Sequence, residues 1–150
     1  MARRSSPRRK QSQLGGQPPR HRFFLNPYAD LRFTSCPQCG AKTRLRKLPL
    51  VIHVDPVQLI ALNKTCRYCP RCDLLIAHQD EIEAFLAAYF GQHQPEIVGN
   101  EYLIVGTEDR ADWLRGTRAS MSTQEALDCL HDFAEVVSFE PAPQWTWGPA

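Results

Sequence analysis

Six cysteines are the residues of this 150-residue chain whose type and spacing best predict chemistry. Five of them lie between positions 36 and 72, in Cys36-Pro-Gln-Cys39 and in Cys66-Arg-Tyr-Cys69-Pro-Arg-Cys72. Both sulfurs of a Cys-x-x-Cys turn can bind one ion, and Zn²⁺ prefers four tetrahedral ligands, often thiolates. The sequence therefore predicts one structural zinc ion, bound by Cys36, Cys39, Cys69 and Cys72.

The fourth ligand has an alternative, because two Cys-x-x-Cys pairs overlap in the second segment. Pro37 and Pro70 each follow the first cysteine of a pair, where the fixed φ of proline pre-forms the turn. This repetition favours Cys69 with Cys72 and leaves Cys66 as a spare, buried thiol. In the alternative, Cys66 is the ligand and Cys72 is the spare. A third hypothesis makes the spare thiol a redox sensor.

The segments CPQCG and CPRC resemble the knuckles of the zinc-ribbon superfamily, over residues 34–78. The resemblance implies two β-hairpins around one zinc ion, and it specifies no function, because the superfamily contains nucleic-acid-binding and protein-binding modules. Twenty-nine residues separate Cys39 from Cys69, whereas compact sites have about 15–20. We expect this insert to form a strand over 45–54 and a short helix that begins at Asp55-Pro56.

We expect an α+β fold of zinc-ribbon β-hairpins, two amphipathic helices and an additional strand pair. Residues 1–22 should be a disordered basic tail, because they contain almost no large apolar residue. Residues 23–95 should form the zinc-ribbon module with its insert and one helix, and residues 96–150 an α+β extension that packs on it.

Two helices and a strand are predicted from periodicity and caps. The first helix covers 80–90, with an Asp80 cap, a stop at Gly91 and one apolar face. A strand follows over 101–107. The second helix covers 122–137, capped by Ser122 and Glu125, with Cys129 in the core. The apolar face of the first helix comprises Ile82, Phe85, Leu86, Tyr89 and Phe90.

The sequence shows no pattern typical of catalysis. Its five histidines form no H-E-x-x-H pair, and four cysteine ligands leave zinc without the open position of a catalytic site. Glu108, Asp109 and Asp112 are best explained as a solvated acidic turn. We therefore expect a binding protein rather than an enzyme, with no catalytic residue and no small-molecule substrate.

Charge is distributed unevenly along the chain. Residues 1–22 contain seven Lys or Arg and no acid, residues 23–72 contain eight and two, and residues 73–150 contain three and fourteen. Four thiolates and one Zn²⁺ add about −2, so the metal-binding segment stays basic. This imbalance favours an anionic partner for the N-terminal half, although the acidic half could also neutralise it.

Seven basic residues near the cysteines are candidates for contacts with nucleic-acid phosphates. Three of them alternate at positions 42, 44 and 46 and would share one face of a strand, and Tyr68 could stack on a base. The alternative is a protein-interaction adaptor or regulatory subunit with a purely structural zinc site, which docks through its acidic helices or the Trp-containing segment 141–149. The seven candidates are Lys42, Arg44, Arg46, Lys47, Lys64, Arg67 and Arg71.

The expected location is cytoplasmic, without a membrane partner. No apolar stretch approaches the roughly 20 residues of a membrane-spanning helix, and no apolar segment follows the N-terminal arginines as in a secretion signal. A mitochondrial-type transit peptide over residues 1–22 is the alternative.

Overall fold

The computed structural model describes residues 13–56, 58–118 and 122–140, and it confirms the predicted mixed α+β class. Within these residues seven strands form one sheet, with three α-helices and one 3-10 turn beside it. The strands are β1 (Arg22–Asn26), β2 (Arg44–Val54), β3 (Gln58–Cys69), β4 (Leu74–His78), β5 (Tyr102–Thr107), β6 (His131–Asp132) and β7 (Glu135–Val136). The helices are α1 (Gln79–His93), α2 (Arg110–Arg118) and α3 (Thr123–Asp128), and the 3-10 turn is Pro95–Ile97.

The sheet curls until its two edges meet. Its strand order is β6-β5-β2-β3-β4-β1-β7, antiparallel except where β1 lies parallel to β4 and to β7. β6 and β7 occupy opposite edges, although only two residues separate them in the chain. The closure is completed by backbone hydrogen bonds from Arg20 N to Asp132 O and from Ala134 N to His21 O.

The insert between the cysteine pairs is a long β-hairpin, so the predicted helix after Asp55-Pro56 is wrong. Asp55-Pro56 is a cis peptide bond in the hairpin turn, and β3 pairs with β2 from Gln58 to Cys69. Ile60 and Leu62 are two residues apart and share one strand face, where they pack against the core. Their spacing fits a strand better than the helix that we inferred.

α1 covers the inner face of the curled sheet. Ile82, Leu86 and Phe90 are buried against alternating residues of β2 such as Leu50 and Ile52. The predicted helix is therefore present, but its cap and its end are wrong. It begins after residue 78 without a side-chain cap and continues through the glycine at 91 to residue 93.

The apolar face of α1 is also narrower than predicted. Phe85 and Tyr89 stay 36% and 40% exposed, and their rings stack 6.0 Å apart on the outer side of the helix. Burial of a narrow stripe suffices here, since the sheet curls away from the sides of the helix.

The second predicted helix is correct at its start and wrong at its end. Ser122 and Glu125 form the predicted capping box, but α3 stops at Asp128. Cys129 is partly exposed at its end, where Arg115 Nη2 donates to the Sγ at 3.3 Å, so it is not a core residue. The chain then enters β6 and β7, because the sheet edges offer unpaired backbone groups.

Part of the predicted disordered tail is ordered. Leu14 N and Gly15 N donate to the carboxylate of Asp132 at 2.9 and 2.6 Å, and Gln17 forms a bridge with His131. Residues 1–12 and 141–150 lie outside the described residues. The division of the chain at residue 95 stays a prediction, and the sheet contains strands from both sides of it.

The described helices are all too short or too polar to cross a lipid bilayer.

Candidate metal centre

The first cysteine loop, residues 35–42, is a tight turn just before β2. Cys36 N donates to Ala41 O, and Gly40 N donates back to Cys36 O, both within 2.9 Å. Gly40 has a φ of +76°, which favours glycine. A bridge between Ser35 and Lys42 closes the base of the loop. These contacts direct the thiols of Cys36 and Cys39 to the same side.

The second cysteine loop, residues 69–73, is the turn between β3 and β4. Cys69 is the last residue of β3 and pairs with Leu74, the first residue of β4. Cys72 lies within the turn, which closes at Asp73 with a φ of +52°. Because β4 is buried on both faces, the loop is anchored to the core.

The four sulfurs of Cys36, Cys39, Cys69 and Cys72 all lie within 4.8 Å of one another. The Cys36–Cys72 and Cys39–Cys69 Sγ–Sγ distances are 4.0 and 3.6 Å. Ligands about 2.3 Å from a tetrahedral Zn²⁺ lie about 3.8 Å from each other, whereas a disulfide needs about 2.05 Å. The four cysteines therefore lie close enough together to hold one metal ion.

Backbone amides and burial set the electrostatics of this cluster. Burial raises the pKa of Cys36, although Gln38 N donates to its Sγ at 3.4 Å. Burial also opposes ionisation of Cys39, but hydrogen bonds from the Ala41 backbone and the neighbouring thiols lower its pKa to about 7. Burial and the neighbouring thiols raise the pKa of Cys72. A bound cation would reverse this repulsion and favour four thiolates.

Cys66 lies outside the cluster, and the strand geometry explains why. Cys66 and Cys69 are three residues apart in β3, so their side chains leave opposite faces of the sheet. Cys66 is buried in the inner core, and burial raises its pKa to about 12. The Cys66-x-x-Cys69 pair has the same spacing as the others but cannot converge on one ion.

The seven basic candidates surround the cysteine loops on two faces of the sheet. Arg44 and Arg46 share the inner face, as predicted, whereas Lys47 and Arg67 lie on the outer face. Lys64 forms a salt bridge with a carboxylate of α1. In the described part of the chain, the other six have no carboxylate oxygen within 4.0 Å.

Tyr68 is buried and cannot stack on a base, contrary to our expectation. It is 8% exposed, and the guanidinium carbons of Arg46 and Arg44 lie 4.8 and 5.9 Å from its ring centroid. Its hydroxyl donates to Asp73 Oδ1 at 2.7 Å, and His21 Nδ1 lies 2.7 Å from the same oxygen. Tyr68 therefore positions the two arginines.

Sequence analysis missed His21 and Asp73, which are 52 residues apart and meet only in the fold. Burial opposes ionisation of Asp73, but the hydrogen bonds with His21 and Tyr68 lower its pKa. The ionised carboxylate accepts both hydrogen bonds and fixes the turn that contains the second cysteine loop.

The acidic residues before α2 are not simply a solvated turn. Asp109 is exposed and binds Arg20 at 2.8 Å, and Asp112 binds Arg115 at 2.9 Å. Glu108, however, is only 7% exposed. The prediction is therefore wrong for Glu108.

Comparisons of the chain with protein-family models, with curated proteins and with solved structures find no match. The site itself defines a protein with a four-cysteine cluster able to hold one metal ion.

Proposed function

We propose that this is a non-catalytic, zinc-binding protein that contacts nucleic acid through the basic residues around its cysteine loops. The observation that carries this function is the distribution of unpaired charge. Six basic residues near the cysteines have no acidic partner, whereas the basic residues elsewhere in the fold are mostly paired. The paired ones are Arg20, Arg22, Arg32, Lys64 and Arg115.

Zinc is the metal that the four thiols favour, since soft thiolates in a tetrahedral set select Zn²⁺ or iron. With four protein ligands the ion has no open position for a substrate, so its role is structural. It links the loop before β2 to the turn before β4, two segments that are 30 residues apart in sequence at Cys39 and Cys69. Metal binding should stabilise this part of the fold by on the order of 10 kcal/mol.

Phosphate contact is supported by the way Arg44 and Arg46 are held. Both guanidinium groups lie against the ring of Tyr68, so less side-chain freedom is lost when they bind an anion. Residues 1–12 add five further Lys or Arg and should increase the attraction. Such contacts give strong salt dependence and little sequence preference.

Fluorescence anisotropy with a labelled single-stranded oligonucleotide, across about 50 to 200 mM salt, tests this function. We expect zinc-loaded protein to bind, and Arg44→Ala/Arg46→Ala to reduce the slope of log K against log[salt] by about 1.5 to 2. Arg110→Ala, in α2, is the control and should leave most of the slope unchanged. Absence of binding at low salt, or equal slopes for the double variant and wild type, would rule out this function.

A protein-interaction adaptor is the second candidate, and the exposed aromatic pair on α1 favours it. Phe85 and Tyr89 present apolar rings that the fold does not cover. Phe85→Ser/Tyr89→Ser should abolish capture of a protein partner without changing oligonucleotide affinity. The reverse result would favour the nucleic-acid function. The cytoplasmic location stays a prediction.

A further inference from the structure

A cavity of about 210 Å³ lies between the outer face of the β2–β3 hairpin and the helices α2 and α3. Val51, Leu59 and Ala61 line it from the hairpin, and Trp113 and Ala126 line it from the helices. The walls are thus mostly apolar. None of these residues belongs to the cysteine loops or to the basic surface.

Glu108 is the charged residue of this cavity. It is 7% exposed and follows β5 directly, so the strand holds it in place. Its carboxylate has no hydrogen bond or ion pair with any described residue. The nearby cations are already engaged, because Arg20 binds Asp109 and Arg115 binds Asp112.

An unpaired buried carboxylate is unfavourable when it is ionised. Burial, together with the neighbouring Asp112, raises the pKa of Glu108 to about 7, although Arg115 opposes this effect and Asp109 adds to it. Near neutral pH the group is therefore poised between its two forms. A cation that enters the cavity would supply the missing partner.

The lining of the cavity indicates which cation fits. A single carboxylate offers too few oxygens for Ca²⁺, which takes six to eight, or for an octahedral Mg²⁺ site. Trp113 is the aromatic residue best suited to contact a cation, and Arg110 already places its guanidinium carbon 6.0 Å from that ring. Apolar walls favour a hydrocarbon chain beside the charge.

We propose that this cavity binds a small organic amine, with the ammonium group on the Glu108 carboxylate and the hydrocarbon part between Trp113 and the apolar walls. The site is independent of the proposed nucleic-acid contact. It makes the protein a receptor for a small cation as well as a metal-binding protein.

Isothermal titration calorimetry with n-butylammonium chloride on the zinc-loaded full chain tests the site, with sodium chloride at equal ionic strength as the blank. We expect saturable 1:1 binding, and roughly tenfold weaker binding for Glu108→Gln, which keeps the side-chain shape and removes the charge. n-Butanol, which lacks the charge, should bind weaker by a similar factor. Glu101→Gln removes an exposed charge at the other end of β5 and should bind like wild type.

A second variant separates the cavity from simple attraction to an acidic surface. Ala126→Phe fills the cavity and keeps every charge, and it should also abolish binding. Amide chemical-shift changes should map to the residues around Glu108. The site would be refuted by absence of saturable binding to wild type, by equal affinity of Glu108→Gln, or by Ala126→Phe binding as well as wild type.

Discussion

Replacing Glu108 by glutamine should stabilise the protein increasingly as pH rises. The carboxyl has a usual pKa of 4.5, and burial raises this pKa to about 7 in the folded state. Between these values the unfolded chain releases the proton while the folded chain keeps it, so rising pH lowers the stability of wild type. The pKa difference corresponds to about 3 kcal/mol as an upper limit. Because the carboxyl borders a cavity that water can enter, we expect about half of it.

Urea unfolding of zinc-loaded protein, from about pH 5.5 to pH 8, measures the effect as a difference between variants. The free energy of unfolding of Glu108→Gln relative to wild type should increase by about 1 kcal/mol over this range and level off above pH 7. Metal binding also depends on pH, but it contributes equally to both proteins and cancels. Glu101→Gln, the exposed control, should differ from wild type by a constant amount. A Glu108→Gln difference that is independent of pH, or that falls as pH rises, would refute this account.

Cys72→Ser should lose zinc and most of the cooperative unfolding transition, whereas Cys66→Ser should keep one zinc per chain in native mass spectrometry; retention of zinc by Cys72→Ser would contradict the cluster. Gly15→Ala would place a Cβ 2.1 Å from Leu130 O, so thermal unfolding should show a loss of about 1–3 kcal/mol. Gly91→Ala, in the interior of α1 with no atom within 4 Å of its Cβ, is the matched control and should gain about 0.8 kcal/mol. Similar melting temperatures for both glycine variants would contradict the contact.

The cysteine pattern could be predicted because it is local. A Cys-Pro-x-Cys turn brings two sulfurs together whatever the rest of the chain does. The choice between Cys66 and Cys72 was predicted less directly, from repetition of proline. Its physical reason appeared only when β3 was seen to continue through Cys66, which sends that side chain to the face opposite Cys69.

The errors share a cause, which is that strand pairing depends on distant segments. Residues after Pro56 and after Asp128 carry helix-like spacing, yet both stretches became strands because a partner strand or a sheet edge was beside them. The same closure ordered residues 13–21 on Asp132, although their composition predicts disorder.

The sequence alone determined the kind of site in this protein: paired thiols at short spacing and an excess of basic residues beside them. Only the tertiary structure decided which thiols meet, that Tyr68 holds two arginines instead of a base, and that Glu108 is buried without a partner. Residue type and local spacing are encoded in neighbouring positions of the chain. Burial and partnership arise where segments far apart in sequence come into contact, as β6 and β7 do at the two edges of one curled sheet.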